Sequence, residues 1–241
     1  MSSLVRLLQL ASPALPIGGY SYSTGLEAAI EAGEVDDPDS AFDWIDDNLS
    51  LVVGRFDAPL LVAAVRACAD ANWRQLRELN RLALAARETA ELRLESEQMG
   101  FSLMHWVAQV PAGDRGAADP ASAGEAGEAG SAGAPLAELA AGPVAATIAW
   151  AAAAWRLQLS PLEAVTGHLW SFVENQVMVL IKTIPLGQIQ AQRVLHRLGP
   201  RVEAVARCAL ALSPQHWSSA APGLAIASMR HETQYSRLFR S

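Results

Sequence analysis

Five histidines, two cysteines and 25 Asp and Glu residues are the side chains of this 241-residue chain best suited to hold a metal or move a proton. Their spacing organises them for neither task. His105, His168, His196, His216 and His231 form no H-x-x-x-H or H-E-x-x-H pair, and none lies near a cysteine pair. Cys68 and Cys208 stand far apart in apolar runs, outside any C-x-x-C, and are expected to be reduced core thiols. The densest carboxylate group is Asp36, Asp37, Asp39, Asp43, Asp46 and Asp47. It has the oxygens a divalent ion wants, but it falls at a helix start, where the macrodipole favours negative charge. Gly18-Gly19 and Gly25 match neither phosphate-binding loop pattern, and Ser21 and Ser23 lie in no G-x-S-x-G elbow. No catalytic residue, metal ligand or cofactor is therefore expected, and the chain reads as a non-enzyme. The alternative is an α-helical enzyme with a spatially assembled site, which would need a deep pocket lined by His168, Glu174 and Asn175.

The chemistry that remains lies at the two ends. Pro13 and Pro16 hold the backbone before them extended, Gly18-Gly19 allow a tight turn, and Tyr20 and Tyr22 precede a helix expected to open at Ser23 or Thr24. This stretch reads either as a rigid connection with tyrosines plugging the core or as a recognition surface. The other end, 229–241, mixes Arg230, Arg237 and Arg240 with Tyr235, Leu238 and Phe239, a composition enriched at interface cores. A monomer offers a terminus little to bury it against, so this tail is expected to order on contact with a partner; a frayed helical end is the alternative.

The elements that must position these ends are helices. Phe42, Ile45, Leu49 and Val52 repeat at three and four residues behind an Asp37-Pro38 start, and Asp57-Ala58-Pro59 is expected to restart the pattern through about Asp70. Leu76, Leu79, Ala83, Ala86 and Ala90 mark a further stripe, followed by another stretch through Val110. Ser160-Pro161-Leu162-Glu163 is a capping box opening the longest helix, which Pro185 and Gly187 should end. A helix from about Gln188 to Leu198 is expected to break at Gly199-Pro200, with another over Arg201–Leu212. Period-2 strands are absent, so the fold class is all-α: one domain over 1–241, a bundle of about nine or ten helices. Residues 112–134 interrupt it. Fifteen of these twenty-three are Ala or Gly, with no large apolar side chain, so a low-complexity mobile loop inserted in the domain is expected.

Composition narrows the partners. The net charge of −7, with 18 basic residues spread without a stripe, speaks against nucleic acid. The most apolar window, Val144 to Trp155, falls well short of the ~20 residues a membrane span needs. The start lacks a secretory h-region, so a cytoplasmic location is expected.

Three separated motifs in one order carry a resemblance. They are Leu8-Gln9-Leu10-Ala11-Ser12-Pro13 through Tyr20-Ser21-Tyr22-Ser23-Thr24-Gly25-Leu26-Glu27, then Asn175-Gln176 with Lys182-Thr183-Ile184-Pro185-Leu186-Gly187-Gln188, and last Ser228-Met229-Arg230-His231-Glu232 through Arg240. Together they resemble the UreF family of urease accessory proteins; the Ala/Gly-rich insert is the departure. The resemblance implies an all-α adaptor, a homodimer within its complex, that joins a UreD-type (UreH-type) accessory protein and a UreG-type GTPase. Such an adaptor serves nickel insertion into apo-urease and modulates the GTPase. By position it implies a partner-binding surface of Gly18, Gly19, Tyr20, Ser23 and Glu27 with Arg230, His231, Glu232, Tyr235, Ser236 and Arg237. Lys182 and Gln188 become candidates for the GTPase-facing side. The tail is implied to pack near Tyr20 when the UreD-type partner binds.

Overall fold

The computed structural model describes residues 1–110 and 133–241, and every regular element among them is helical. Ten continuous helices follow in order: α1 Ser3–Leu10, α2 Leu26–Glu31, α3 opening at Pro38–Asp47, α4 Trp73–Ala85, α5 Ala90–Gln109, α6 Gly133–Ala140, α7 Ala146–Arg156, α8 Pro161–Thr183, α9 Gln188–Ala211 and α10 Pro222–Glu232. The all-α expectation holds. The loop expected at 112–134 lies outside the described residues, apart from 133 and 134, which begin α6.

Helix α3 corrects the restart expected at Asp57. Asp37 accepts from the backbone N–H groups of Asp39 and Ser40 to cap its start, but the helix then runs through a π-helical stretch, Asn48–Asp57, straight into Ala58–Ala69. Pro59 cannot donate to the carbonyl of Arg55 four residues back. The Ser218 N–H does so instead, at 3.2 Å, so the rod survives its proline. The break expected at Gly199-Pro200 is likewise absent. Val194, Leu198, Val202, Ala206 and Ala209 form one buried stripe across Pro200, and burying that stripe against α8 and α3 outweighs one lost hydrogen bond.

The stripe expected through Ala86 and Ala90 does break. Helix α4 ends at Ala85, and the Thr89 hydroxyl accepts from Leu92 N–H to start α5. The four residues between place Arg87 in the core's edge. Ser160 and Glu163 form the expected capping box on α8, on which α3 and α9 pack; at 23 residues it is not the longest helix as expected, since α9 has 24 once Pro200 fails to break it. Helix α7 is buried on nearly every side, Ala149 and Ala151 to Ala154 being wholly covered, so its apolar run is a core helix. Helix α5 packs on it through Gly100, where any Cβ would meet the Val144 carbonyl. Cys68 lies in this core. Cys208 is exposed, because it falls between the inward positions Ala206 and Ala209 on α9.

Candidate functional site

The loop before α2 and the tail after α10 meet on one side of α5 and α8. Gly18 takes a left-handed φ of 73°, turning the chain into a short 3-10 turn over Gly19–Ser21. Helix α8 holds the next residues from below: Asn175 Nδ2 donates to Tyr22 O at 3.0 Å and Gln176 Nε2 to Ser23 O at 3.0 Å. Lys182 Nζ donates to Tyr20 O at 3.4 Å and lies 5.2 Å from the centre of the Phe239 ring. Tyr22 is buried and its hydroxyl donates to Gln98 Oε1 at 2.5 Å. Thr24 and Gly25 follow with φ of 53° and 81°, so α2 opens at Leu26 and not at Ser23 or Thr24. Ser23 still serves the helix, its hydroxyl accepting from Glu27 N–H at 3.3 Å.

A fully buried histidine ties the tail to this loop. His231 Nδ1 lies 2.6 Å from Glu91 Oε2 and its Nε2 lies 3.1 Å from Glu27 Oε2. Glu27 then accepts the backbone N–H groups of Leu238 and Phe239 at 2.7 and 3.0 Å, while Arg237 donates to Glu91 Oε1 at 2.5 Å. Glu232 accepts from the Ala90 and Glu91 N–H groups, capping α5 from another part of the chain, and Arg230 pairs with Glu34 at 2.8 Å. Beyond Phe239 the backbone runs beside the loop: Arg240 N–H donates to Ser21 O at 2.8 Å and Ser23 N–H to Ser241 O at 2.7 Å.

The tail therefore corrects the expectation that a monomer has little to bury it against. His231, Phe239 and Ser241 are all buried against their own chain, because Glu27, Glu91 and Glu95 supply acceptors that composition alone could not place. Of the residues implied to face partners, Gly18, Gly19, Tyr20, Ser23, Glu27, Lys182, Arg230, His231, Glu232 and Arg237 gather at this junction. Tyr235 and Ser236 ride on it exposed. Gln188 does not join them: it starts α9, exposed, and makes no hydrogen bond to loop or tail. Sequence reasoning missed Glu91, Glu95 and Gln98, whose steps of four and three residues put them on one face of α5, a spacing that could have been read.

Behind the loop lies a chamber of about 170 Å³ with His168, Glu174 and Asn175 in its lining. Asp57, at the end of the π-helical stretch, forms a two-pronged ion pair with Arg87 and accepts from the Thr147 hydroxyl at 3.1 Å. Burial alone would raise the Asp57 carboxyl; the Arg87 guanidinium, aided by Thr147, outweighs it and holds the group below the usual carboxylate value. His168 packs edge-on to Trp150, ring centres 5.3 Å apart, and burial drives it down to about 4 despite the pull of Asp57. The pocket named for the enzyme alternative thus exists, but among the described residues no hydroxyl is hydrogen-bonded to His168. Two aspartates of α3 are also spent on structure, Asp39 pairing with Arg197 and Asp46 with Arg201. No group of three or more His, Cys, Asp and Glu able to hold a metal ion occurs among the described residues.

Comparison with known proteins gives the chain its relatives. The UreF family profile matches residues 35–199. A urease accessory protein UreF from Ectopseudomonas mendocina (strain ymp) is 50% identical over 235 residues, covering 98% of this chain and 97% of its own length. Those from Pseudomonas fluorescens (strain Pf0-1) and Azotobacter vinelandii (strain DJ / ATCC BAA-1303) are 48% and 47% identical over the full length of both partners. The profile stops short of both ends, whereas these relatives align through the loop and the tail as well. The chain belongs to the UreF family of urease accessory proteins.

Proposed function

We propose that this chain is a non-enzymatic docking adaptor in urease maturation. It joins a UreD/UreH-type accessory protein and a UreG-type GTPase for nickel insertion into apo-urease, and it modulates the GTPase. The observation that carries this reading is the latched tail. Tyr235 is fully exposed and Leu238 is 70% exposed, yet both lie between His231 and Phe239, which are buried. A large aromatic and a leucine held outward on a fixed backbone form an anchor with little left to order on binding. We assign this face to the UreD-type partner, and the Lys182 and Gln188 side to the GTPase. Homodimerisation and a cytoplasmic location belong to the same reading. No helix among the described residues is long and apolar enough to cross a membrane.

Co-expression with tagged UreD-type and UreG-type partners, purified with and without GTP, tests the reading. The expected result is a complex containing all three proteins, with the UreG-type subunit's retention dependent on the nucleotide. Purification of this chain free of both partners would overturn it. The chamber favours a second reading, the helical enzyme, which intrinsic hydrolase turnover by the purified chain would establish. Among the described residues no hydroxyl is hydrogen-bonded to His168, so the adaptor is preferred.

A further inference from the structure

A groove of about 500 Å³ runs between the outward side of α5 and the junction of loop and tail. Leu94 and Phe101 stand two turns apart on one face of α5, 52% and 71% exposed, and Ile17 of the loop lines the same groove. The inward positions of α5 are taken by Leu92, Ser96, Gly100 and Leu103, so neither exposed side chain has a place in the bundle. Two helical turns span about 10 Å, the length of about three residues of extended chain.

Arg240 gives the groove its charge. The other arginines of the tail are matched, Arg230 by Glu34 and Arg237 by Glu91. Arg240 has no carboxylate partner among the described residues; its guanidinium reaches the neutral Gln98 Oε1, at 3.4 Å. The nearby carboxylates are engaged elsewhere, Glu97 by Arg93 and Glu95 by Thr24 and Ser241. A guanidinium left open beside apolar side chains suits a carboxylate, which can take it in two parallel hydrogen bonds. Leu238 and Arg240 are exposed on either side of buried Phe239, the alternation of an extended chain, so the groove continues the face that bears Leu238.

We propose that the groove receives an acidic segment of the UreD-type partner, in which a large aliphatic side chain lies beside an Asp or Glu. The aliphatic group packs between Leu94 and Phe101, and the carboxylate takes the Arg240 guanidinium. The inference rests on the docking reading and adds to Tyr235 and Leu238 a second point of contact with a stated chemistry.

Its test uses the complex of the intact chain with the UreD-type partner, carrying a photoreactive benzophenone side chain in place of Phe101. Irradiation is expected to join position 101 to a peptide of the UreD-type partner that holds an Asp or Glu within about three residues of a large aliphatic residue. Arg240→Gln should weaken binding of that partner about tenfold, as loss of one charge-assisted hydrogen bond does, and Phe101→Ser by a similar factor. Both side chains are exposed, so neither change touches the core. Arg74→Gln, at an exposed arginine paired with Glu78 on α4, leaves the affinity unchanged. Crosslinks to the GTPase, to apo-urease or to a second copy of this chain would overturn the inference and leave the docking reading standing. So would a formed complex without a crosslink, or wild-type affinity in both groove variants. Failure of the wild-type chain to form any complex would overturn the docking reading and the inference with it.

Discussion

His231 has a carboxylate oxygen at each ring nitrogen and no exposed surface, so its removal takes one partner from each of two carboxylates and leaves a buried space. His231→Ala is expected to cost about 3 kcal/mol from the two lost hydrogen bonds and the cavity together. Urea denaturation reads that loss, and hydrogen exchange should show the Leu238 and Phe239 amides losing protection; wild-type values in both would contradict the latch. His168 gives a pH signature. Its folded value of about 4 lies below the ordinary 6.5, so the unfolded chain takes up a proton across that interval while the folded chain does not. Stability therefore falls as pH drops from 6.5 towards 4, by up to about 3 kcal/mol, and His168→Gln should flatten that slope. Asp57, held below its ordinary 3.8, loses its contribution only at more acidic pH, which keeps the two effects apart. An unchanged slope in the variant would assign the acid sensitivity elsewhere. The sequence named His231, Glu27 and Arg237 through family resemblance but gave no sign of their mutual contacts. Pairing between residues 140 to 204 positions apart leaves no local pattern to read.

Helices were legible where the signal is local and illegible where tertiary packing overrides it. The caps at Asp37 and Ser160 act within one turn, and both form as read. Pro59 and Pro200 were read as breaks, yet one is rescued by Ser218 and the other by a continuous buried stripe. Conversely, the apolar spacing from Leu76 to Ala90 hid a real break, because Thr89 caps a new helix within it. The crossing of α5 over the chain leading into α7 was equally invisible, since a glycine in a helix reads as a mere weak point. A Cβ on Gly100 would lie 1.9 Å from the Val144 carbonyl oxygen. Gly100→Ala should then destabilise the protein by about 3 kcal/mol, as overpacking against backbone does. Gly142→Ala, with open space around it, should stay within about 0.5 kcal/mol. Thermal unfolding of the two compares them directly, and equal melting temperatures would refute this helix crossing.

At the scale of the whole molecule, the fold joins the two ends of its chain into one face carried by α5 and α8. The all-α class was readable from periodicity, and the composition of the tail is what first suggested the docking role proposed above. The source of the tail's order was not, because carboxylates on α2 and α5 meet it only after the bundle closes. The chamber was legible only as a condition on His168, Glu174 and Asn175, and its polar lining emerges from the packing of α8 behind the loop. Most of the tail's groups are already used internally. Arg237, bound to Glu91 and partly exposed, should contribute only about 1 kcal/mol to stability. In the docking account proposed here, partner recognition falls to the outward Tyr235 and Leu238. The decisive measurement is the equilibrium affinity of the UreD-type partner for a Tyr235→Ala, Leu238→Ala double variant whose melting temperature matches the wild type. A loss of at least about thirtyfold is expected if these two side chains anchor the interface; an affinity within about twofold of wild type would contradict the docking account.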